Sequence, residues 1–560
     1  MRRSTASALV AITISSILLR LSPLLTFAFW GSDVGEYFAI LQRLVLSGHI
    51  STTYAGWGIT YPEFPGMFLV QDSSVLLGGV SVEATLALLV PIAAGLVVLP
   101  LFLLTARITR NAVAGLLASA FLAVAMPHVF ATSHTAPATL GDLLAVAGLL
   151  LFIRLHEDRR AAVPLGLVTP AIVVTHHLSA YFFLVMVLST VVFRNLIAPA
   201  RWSAGLRREV GFIAYLLVVT FAFWFGDAPT FGNQLLRAVN VNPWWLIFVV
   251  FGGLLAAAVF LVAARPRIGW RYRPRAASRN HALAIFAIAL AFLFGFAGYL
   301  AVDAIPGTTI SLTPLGIIAF SPFLVVLALS APGRSDLAFL EFGHAPLAWL
   351  IALVLSTIVG IVAAPTVLIP YRHMEYLLIP LAVFLGVGLL RLVDLSASRS
   401  RPRTIGLLLG GALLLASATI AIPPPSFTAG WQEGIQSSAL PPAYWLRDHG
   451  SGLVAADHRA STIVFGFAGL NATWDTAPGP FLSSVYQAGD YTHLHAPSGF
   501  ANVSYVWLDS DTRSGVELYP WEPAVPMSTA AVLKFSDPPF VKVYDSGYAQ
   551  LYWISPSSGA

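Results

Sequence analysis

The sequence predicts a polytopic α-helical membrane protein ending in a small soluble domain, and three observations predict it. Of 560 residues, 57% are hydrophobic and only 10% charged, and the mean hydropathy is +0.79, whereas a soluble globular domain carries about 25% charged residues. Apolar runs of span length recur up to residue 422, and arginines concentrate in every second connection between them. Beyond residue 424 the apolar runs shorten and alternate.

The spans are expected near 7–29, 80–106, 111–127, 137–154, 161–175, 179–198, 209–225, 243–264, 281–302, 309–331, 346–367, 371–392 and 404–422, about thirteen in all. Those starting at 111, 137 and 161 are short. Arg2 and Arg3 open the chain ahead of an apolar run, as in a signal peptide. No small-residue cleavage site closes that run, so it reads as an uncleaved first span.

Cytoplasmic loops are enriched in Lys and Arg. Starting inside with Arg2 and Arg3, the basic connections hold Arg107 and Arg110; Arg154, Arg159 and Arg160; Arg194, Arg201, Arg207 and Arg208; Arg265 through Arg279; Arg334; and Arg391, Arg399, Arg401 and Arg403. The intervening loops hold Asp33, Glu36, Glu63 and Asp72; His128 and His134; His176 and His177; Asp227 with Arg237; Asp303; and Arg372. The expected orientation is a cytoplasmic N-terminus and an external C-terminal domain in the cell membrane, with residues 1–424 as the transmembrane domain and 425–560 as the soluble one.

In the tail, GLVAAD, STIVFGF, NVSYVWLD, AVLKFS and FVKVYDSGYAQLYWI read as strands between Gly, Pro and Asp turns, giving an external α/β or mostly β domain. Asn471 and Asn502 begin N-glycosylation sequons. The absence of cysteine excludes disulfides, thiolate zinc sites and cysteine nucleophiles. The pI of 9.4 does not indicate nucleic acid, because the basic residues sit in short loops where they orient spans.

Chemistry is expected at the external face. The first external loop, residues 30–79, is the longest outside the tail. A helix over 33–47 places Asp33, Glu36 and Tyr37 on one face and Phe38, Leu41, Leu44 and Val45 on an apolar stripe suited to the membrane interface. A carboxylate held there serves either as a general base or as an acidic helix start that favours the dipole. Adjacent His176 and His177 do not share a helical face, so one is open to a metal or substrate while the other packs. His134 lies near the external surface. Asp142, just inside the next span, is costly unless paired, which marks it for function or for an interhelical hydrogen bond. Arg20, deep in the first span, either snorkels or pairs with a carboxylate or a lipid phosphate. Arg372 stands on the arginine-poor side, where its planar guanidinium suits a phosphate. His373 and Glu375 follow it, Glu375 at pairing distance along a helix.

With FWGSDVGEY closing the first span, PYRHMEY opening the twelfth and VKVYDSGYAQLYW in the tail, the chain resembles the GT-C superfamily of membrane glycosyltransferases. Its plan is similar to the oligosaccharyltransferase catalytic subunit and to polyprenyl-phosphate-sugar-dependent transferases. The resemblance implies transfer of a sugar from a polyprenyl-phosphate donor to a lipid, glycan or protein acceptor at the external face, of the inverting type. It implies Asp33 as the catalytic carboxylate that engages the acceptor or its metal, with Glu36 beside it, and Arg372 at the donor phosphate, with Arg20 as a second cation. His134, His176, His177, Asp142, His373 and Glu375 are the further substrate or metal candidates. For cofactors it leaves open none or a divalent metal, Mg or Mn. The WWDYG signature of oligosaccharyltransferases is absent, and their second acidic motif is replaced by SHTAPATLGD. These departures favour a metal-independent transferase over peptide glycosylation. A transporter or flippase of lipid-linked or small solutes is the alternative from another class.

Overall fold

The structure is a computed structural model that describes residues 3–50, 54–197, 203–238, 337, 340, 342–363, 368–369, 372–397, 402–422, 432–476, 478–496, 499–519 and 523–555. Among the described residues, six helices are long and apolar enough to cross a membrane: Arg3–Leu25, Val82–Thr109, Pro137–Glu157, His177–Asn195, Ala204–Asp227 and His373–Leu390. Ala162–Thr175, Ala345–Ala363 and Pro402–Thr419 are also helical where spans are expected. The expected spans at 243–264, 281–302 and 309–331 lie outside the described residues.

The expected span at 111–127 is not one rod. Helix Ala112–Val124 breaks at Ala125, and helix Met126–Ser133 leaves it at 60°. Pro127 is the cause, since it suits a first turn and disfavours helical backbone before it. The short second piece ends at His134 and so delivers that residue to the rim of the bundle. Nearby, Gly386 of helix His373–Ala397 lets this helix cross Ala112–Val124 in backbone contact, because a Cβ there would lie 2.3 Å from the Ala114 carbonyl oxygen.

The tail begins with a crossing back to the bundle. Strand β1 (Phe29–Trp30), just after the first span, pairs antiparallel with β2 (Gly434–Ile435). The remaining strands are β3 (Leu453–Ala455), β4 (Leu494–Ala496), β5 (Gly499–Ala501), β6 (Val503–Asp509), β7 (Phe540–Asp545) and β8 (Ala549–Ile554). Four of them form a sheet in the order β3-β6-β8-β7, with β3 parallel to β6 and the other pairs antiparallel, and β4 pairs with β5.

The tail is therefore α/β, and two of its expected strands are helical. STIVFGF lies within helix His458–Ile463 and the wider turn Val464–Ala468, and AVLKFS within helix Thr529–Leu533 and the turn after it. Caps decide both cases. Asp457 accepts the Ala460 amide at 2.9 Å and Ser528 the Ala531 amide at 3.1 Å. The first run is also buried on every side, which removes the polar alternation that separates strand from helix.

This helical run docks on helix Val34–Ser47 of the first loop. The apolar stripe Phe38, Leu41 and Leu44, expected at the membrane interface, is buried by protein instead. It shares one core with Phe29, Ile435, Ile463 and Phe467. Phe467 stacks on Phe38 at 4.5 Å and lies 5.4 Å from Phe29, contacts of roughly 0.5–1.5 kcal/mol each beyond area burial. Gly35 and Gly466 make this approach possible. A Cβ on Gly35 would lie 1.8 Å from the Thr462 carbonyl oxygen, and one on Gly466 2.3 Å from that of Gly35. Gly35→Ala should therefore cost about 2 kcal/mol or more, lowering the melting temperature in detergent and exposing the tail to limited proteolysis. Unchanged melting and unchanged protection would contradict this docking.

Candidate active site

Asp33 caps the amino end of helix Val34–Ser47, yet its side chain makes no capping bond there. Its Oδ2 accepts hydrogen bonds from the hydroxyls of Tyr61 at 2.9 Å and Tyr37 at 3.4 Å. The helix end favours a negative charge at this point. Tyr61 is held by the anchoring of its own turn, where the Glu63 carboxylate accepts the amides of Thr230 and Phe231, both at 2.9 Å. That carboxylate caps helix Pro229–Ala238 and fixes the loop to the bundle.

One turn after Asp33, Glu36 is fully buried. Its Oε1 accepts from the Tyr54 hydroxyl at 2.6 Å and the Gly58 amide at 3.0 Å. Burial, and then the charge of Asp33, push its pKa up to about 8. Glu36 thus fastens the loop at 54–58 over the start of the helix.

The tail adds residues that sequence reasoning missed. The Gly31 amide donates to the Glu433 carbonyl at 2.8 Å, extending the β1–β2 pairing, and the Glu433 carboxylate lies beside Ser32. Glu433 Oε2 stands 3.7 Å from Nε2 of His134, whose ring stacks on Trp30 at 5.7 Å. Burial, and then Asp33, raise the Glu433 pKa to about 7. Further along, His458 pairs with Asp475 at 2.8 Å, and Trp57 of the first loop donates its indole N–H to the same carboxylate at 2.8 Å. Burial works against the His458 imidazolium, but Asp475 with Asp33 and Glu36 outweighs it and raises its pKa. Glu433 is a lone acid that carries no sequence signal.

Arg372 precedes helix His373–Ala397 and donates to Glu375 Oε1 at 3.2 Å. Its charge and that of Asp33 both act on Tyr37 and on Glu433, and it also acts on His134, His176 and His177. Asp33, Glu433, His134 and Arg372 therefore share one polar region where the first loop, the bent helix, the tail and helix His373–Ala397 meet.

The other candidates are placed around it. His176 Nδ1 is 2.9 Å from Ser179 Oγ, which accepts from the Tyr376 hydroxyl at 2.6 Å. The His177 ring packs on Phe231 at 4.5 Å, and His373 Nε2 meets Ser356 Oγ at 2.8 Å. Arg20 and Asp142 lie in the bundle interior and are joined through His128. Arg20 donates to Nδ1 of His128 at 2.8 Å, so Nε2 carries the proton donated to Asp142 at 2.9 Å. Arg20 also reaches Thr132 at 2.9 Å. Intramembrane charges persist when paired in this way, and this chain pins the bent helix that carries His134.

Among the described residues, no group of three or more His, Asp or Glu side chains is arranged to hold a metal ion. One oxygen of each carboxylate is engaged, Asp33 Oδ2 by tyrosine hydroxyls and Glu36 Oε1 by a tyrosine hydroxyl and an amide.

No family model matches the sequence, and no curated protein does. Solved structures do. The Archaeoglobus fulgidus oligosaccharyltransferase tethered to an acceptor peptide containing the NVT sequon aligns with a TM-score of 0.60 and 15% identity, over 99% of this chain and 74% of that one. The archaeal oligosaccharyltransferase AglB from the same organism, in complex with an inhibitory peptide and a dolichol-phosphate, aligns at 0.54 and 15% identity over 90% and 69%. The arabinofuranosyltransferase AftD from Mycobacteria aligns at 0.50 and 15% identity over all of this chain and 40% of that one. This chain has the GT-C fold. At such identity the likeness is one of fold.

The Glu36 carboxyl gives a pH test. It titrates at about 8 in the folded chain against 4.5 ordinarily. Between those values the folded state holds a proton that the unfolded chain has released, so stability falls as pH rises through the window and levels off above it. Glu36→Gln keeps an oxygen for Tyr54 and Gly58 and removes the titration. Melting temperatures in detergent from about pH 5 to about pH 9 should decline more steeply for the wild type than for the variant. Parallel curves would sink this assignment.

Proposed function

We propose that this chain is a membrane glycosyltransferase that moves a sugar from a polyprenyl-phosphate-linked donor to an acceptor at the external face of the cell membrane, with inversion at the anomeric carbon. The observation that carries the proposal is the shared electrostatic region of Asp33 and Arg372, since Tyr37 and Glu433 feel both charges. The GT-C fold supports it, as does the dolichol-phosphate in the AglB complex. On this reading the N-terminus is cytoplasmic, residues 1–424 form the catalytic bundle, and 425–560 form the external domain. The acceptor is a lipid, a glycan or a protein.

Asp33 accepts the proton of an acceptor hydroxyl as the oxygen attacks the anomeric carbon. The bond from that carbon to the donor phosphate oxygen breaks, and the electron pair leaves with the phosphate, which Arg372 holds through its guanidinium. The products are the glycosylated acceptor, polyprenyl phosphate and a proton on Asp33. Tyr61 and Tyr37 orient the carboxylate, and Glu36 holds the loop that keeps water out.

Transfer from a polyprenyl-phosphate sugar by purified, folded variants, with and without chelator, tests these roles. Asp33→Asn should lose about 100- to 10,000-fold in rate. Arg372→Ala should raise the KM for donor more than that for acceptor, and Arg372→Lys should recover only part, because an ammonium lacks the bidentate fork. An Asp33→Asn variant transferring sugar at the wild-type rate would overturn the proposal.

A further inference from the structure

The first loop also carries helix Gly66–Gly78, which is apolar on two faces. One face is packed on protein. Met67, Phe68 and Gln71 are buried, and Met67 and Phe68 share a core with Phe38, Leu41 and Leu44 of helix Val34–Ser47. The helix starts hard against the end of helix Ala162–Thr175, where a Cβ on Gly66 would lie 2.3 Å from the Thr175 hydroxyl. The opposite face is bare. Leu69, Val70, Leu76 and Leu77 recur there at helical spacing, and all are exposed, Leu76 at 62% and Leu77 at 89%. Val80 continues the row. Ser73 falls within this face, and its hydroxyl donates to the Leu69 carbonyl at 2.7 Å, so it asks nothing of water. On the neighbouring helix Val34–Ser47, Leu46 is 80% exposed, and Arg43, one turn before it, is exposed as well.

The chain itself says what covers this row. Val82, where a membrane-crossing helix begins, follows Leu77 by five residues, a reach of at most about 18 Å. That helix, Val82–Thr109, has 28 residues and so runs about 42 Å, enough for the hydrocarbon core and both headgroup layers. Its first turn, and the helix joined to it, therefore stand at headgroup level. Leu88 and Leu103 are exposed on the same span, as are Val10, Ile14 and Leu18 on the first span packed beside it, so the bare row continues the surface that faces lipid. We infer that helix Gly66–Gly78 is an interfacial anchor, with Leu69, Val70, Leu76 and Leu77 seated in the acyl chains of the leaflet on the side of the first loop. Leu46 enters beside them, and Arg43 meets the headgroup phosphates. The turn that carries Tyr61, the donor to Asp33, leads directly into this helix, so the leaflet seats the loop that engages the candidate site. The inference stands on the membrane-embedded fold and is independent of the sugar-transfer reading.

The chain has no cysteine, so a single introduced thiol carries a nitroxide label without background. The full chain in phosphatidylcholine nanodiscs is labelled at Leu69→Cys, Leu76→Cys or Leu77→Cys, with Leu88→Cys on the span as the lipid reference and Val541→Cys on β7 as the water reference. All five positions are exposed, so these changes should leave the melting temperature near that of the wild type. A variant of the row that melts early is replaced by Val70→Cys. Electron paramagnetic resonance power saturation then compares collisions with oxygen, which concentrates in lipid, and with a water-soluble nickel chelate. The oxygen-to-nickel ratio at Leu76 and Leu77 should approach that at Leu88 and exceed that at Val541 several-fold. A ratio at the Val541 level would place the row in water. Low collision with both reagents would place it under protein, as in a second copy of the chain. Either result would overturn the inference.

Discussion

The candidate site depends on the contact by which the tail returns to the end of the first span. Two residues on each side form the β1–β2 pairing, and one turn further on Gly35 and Gly466 bring two helical backbones together. Neither feature buries much area alone. Together they fix Glu433 beside Ser32, His458 beside Glu36, and Asp475 under the indole of Trp57. The hydrophobic core shared by Phe29, Phe38, Ile435 and Phe467 supplies the free energy that holds them. The region around Asp33 therefore belongs to the loop and the tail jointly.

Within that region the charges are sorted by burial and by partner. Asp33 stands at a helix end and accepts hydrogen bonds from two tyrosine hydroxyls. Glu36 is buried and Glu433 half-buried close to it, and their pKa values are raised to about 8 and about 7, as expected where like charges cannot all ionise together. Separated carboxyl groups of this kind are how one site assigns different roles to the same chemistry. Deeper in the bundle, the chain from Arg20 through His128 to Asp142 spends two costly charges on holding the bent helix at a fixed angle.

Long apolar runs made most spans legible from sequence, because the bilayer imposes length and composition strongly. Asp33 and Arg372 stood out as charges at those ends of such runs that are expected to be external, and both act on Tyr37 and Glu433 in the structure. Other features were hidden for physical reasons. The bend at Ala125 interrupts an apolar run that hydropathy alone reads as continuous, although Pro127 was a signal for it. STIVFGF has strand-like residues, and only the Asp457 cap reveals a helix. Arg20 and Asp142 were conspicuous as buried charges, but their link His128 was not, since nothing local distinguishes it from a surface histidine. Glu433 was invisible because its environment is made by residues from the opposite end of the chain.

On the proposed reading this polar region cleaves the bond between a sugar and a lipid phosphate. The most direct measurement uses proteoliposomes of the purified chain and a polyprenyl-phosphate sugar labelled separately in its sugar and in its phosphate. The sugar label is expected to move to a new acceptor while polyprenyl phosphate appears in equal amount. Movement of both labels together across the bilayer, with the bond between them intact, would contradict it and make the protein a transporter.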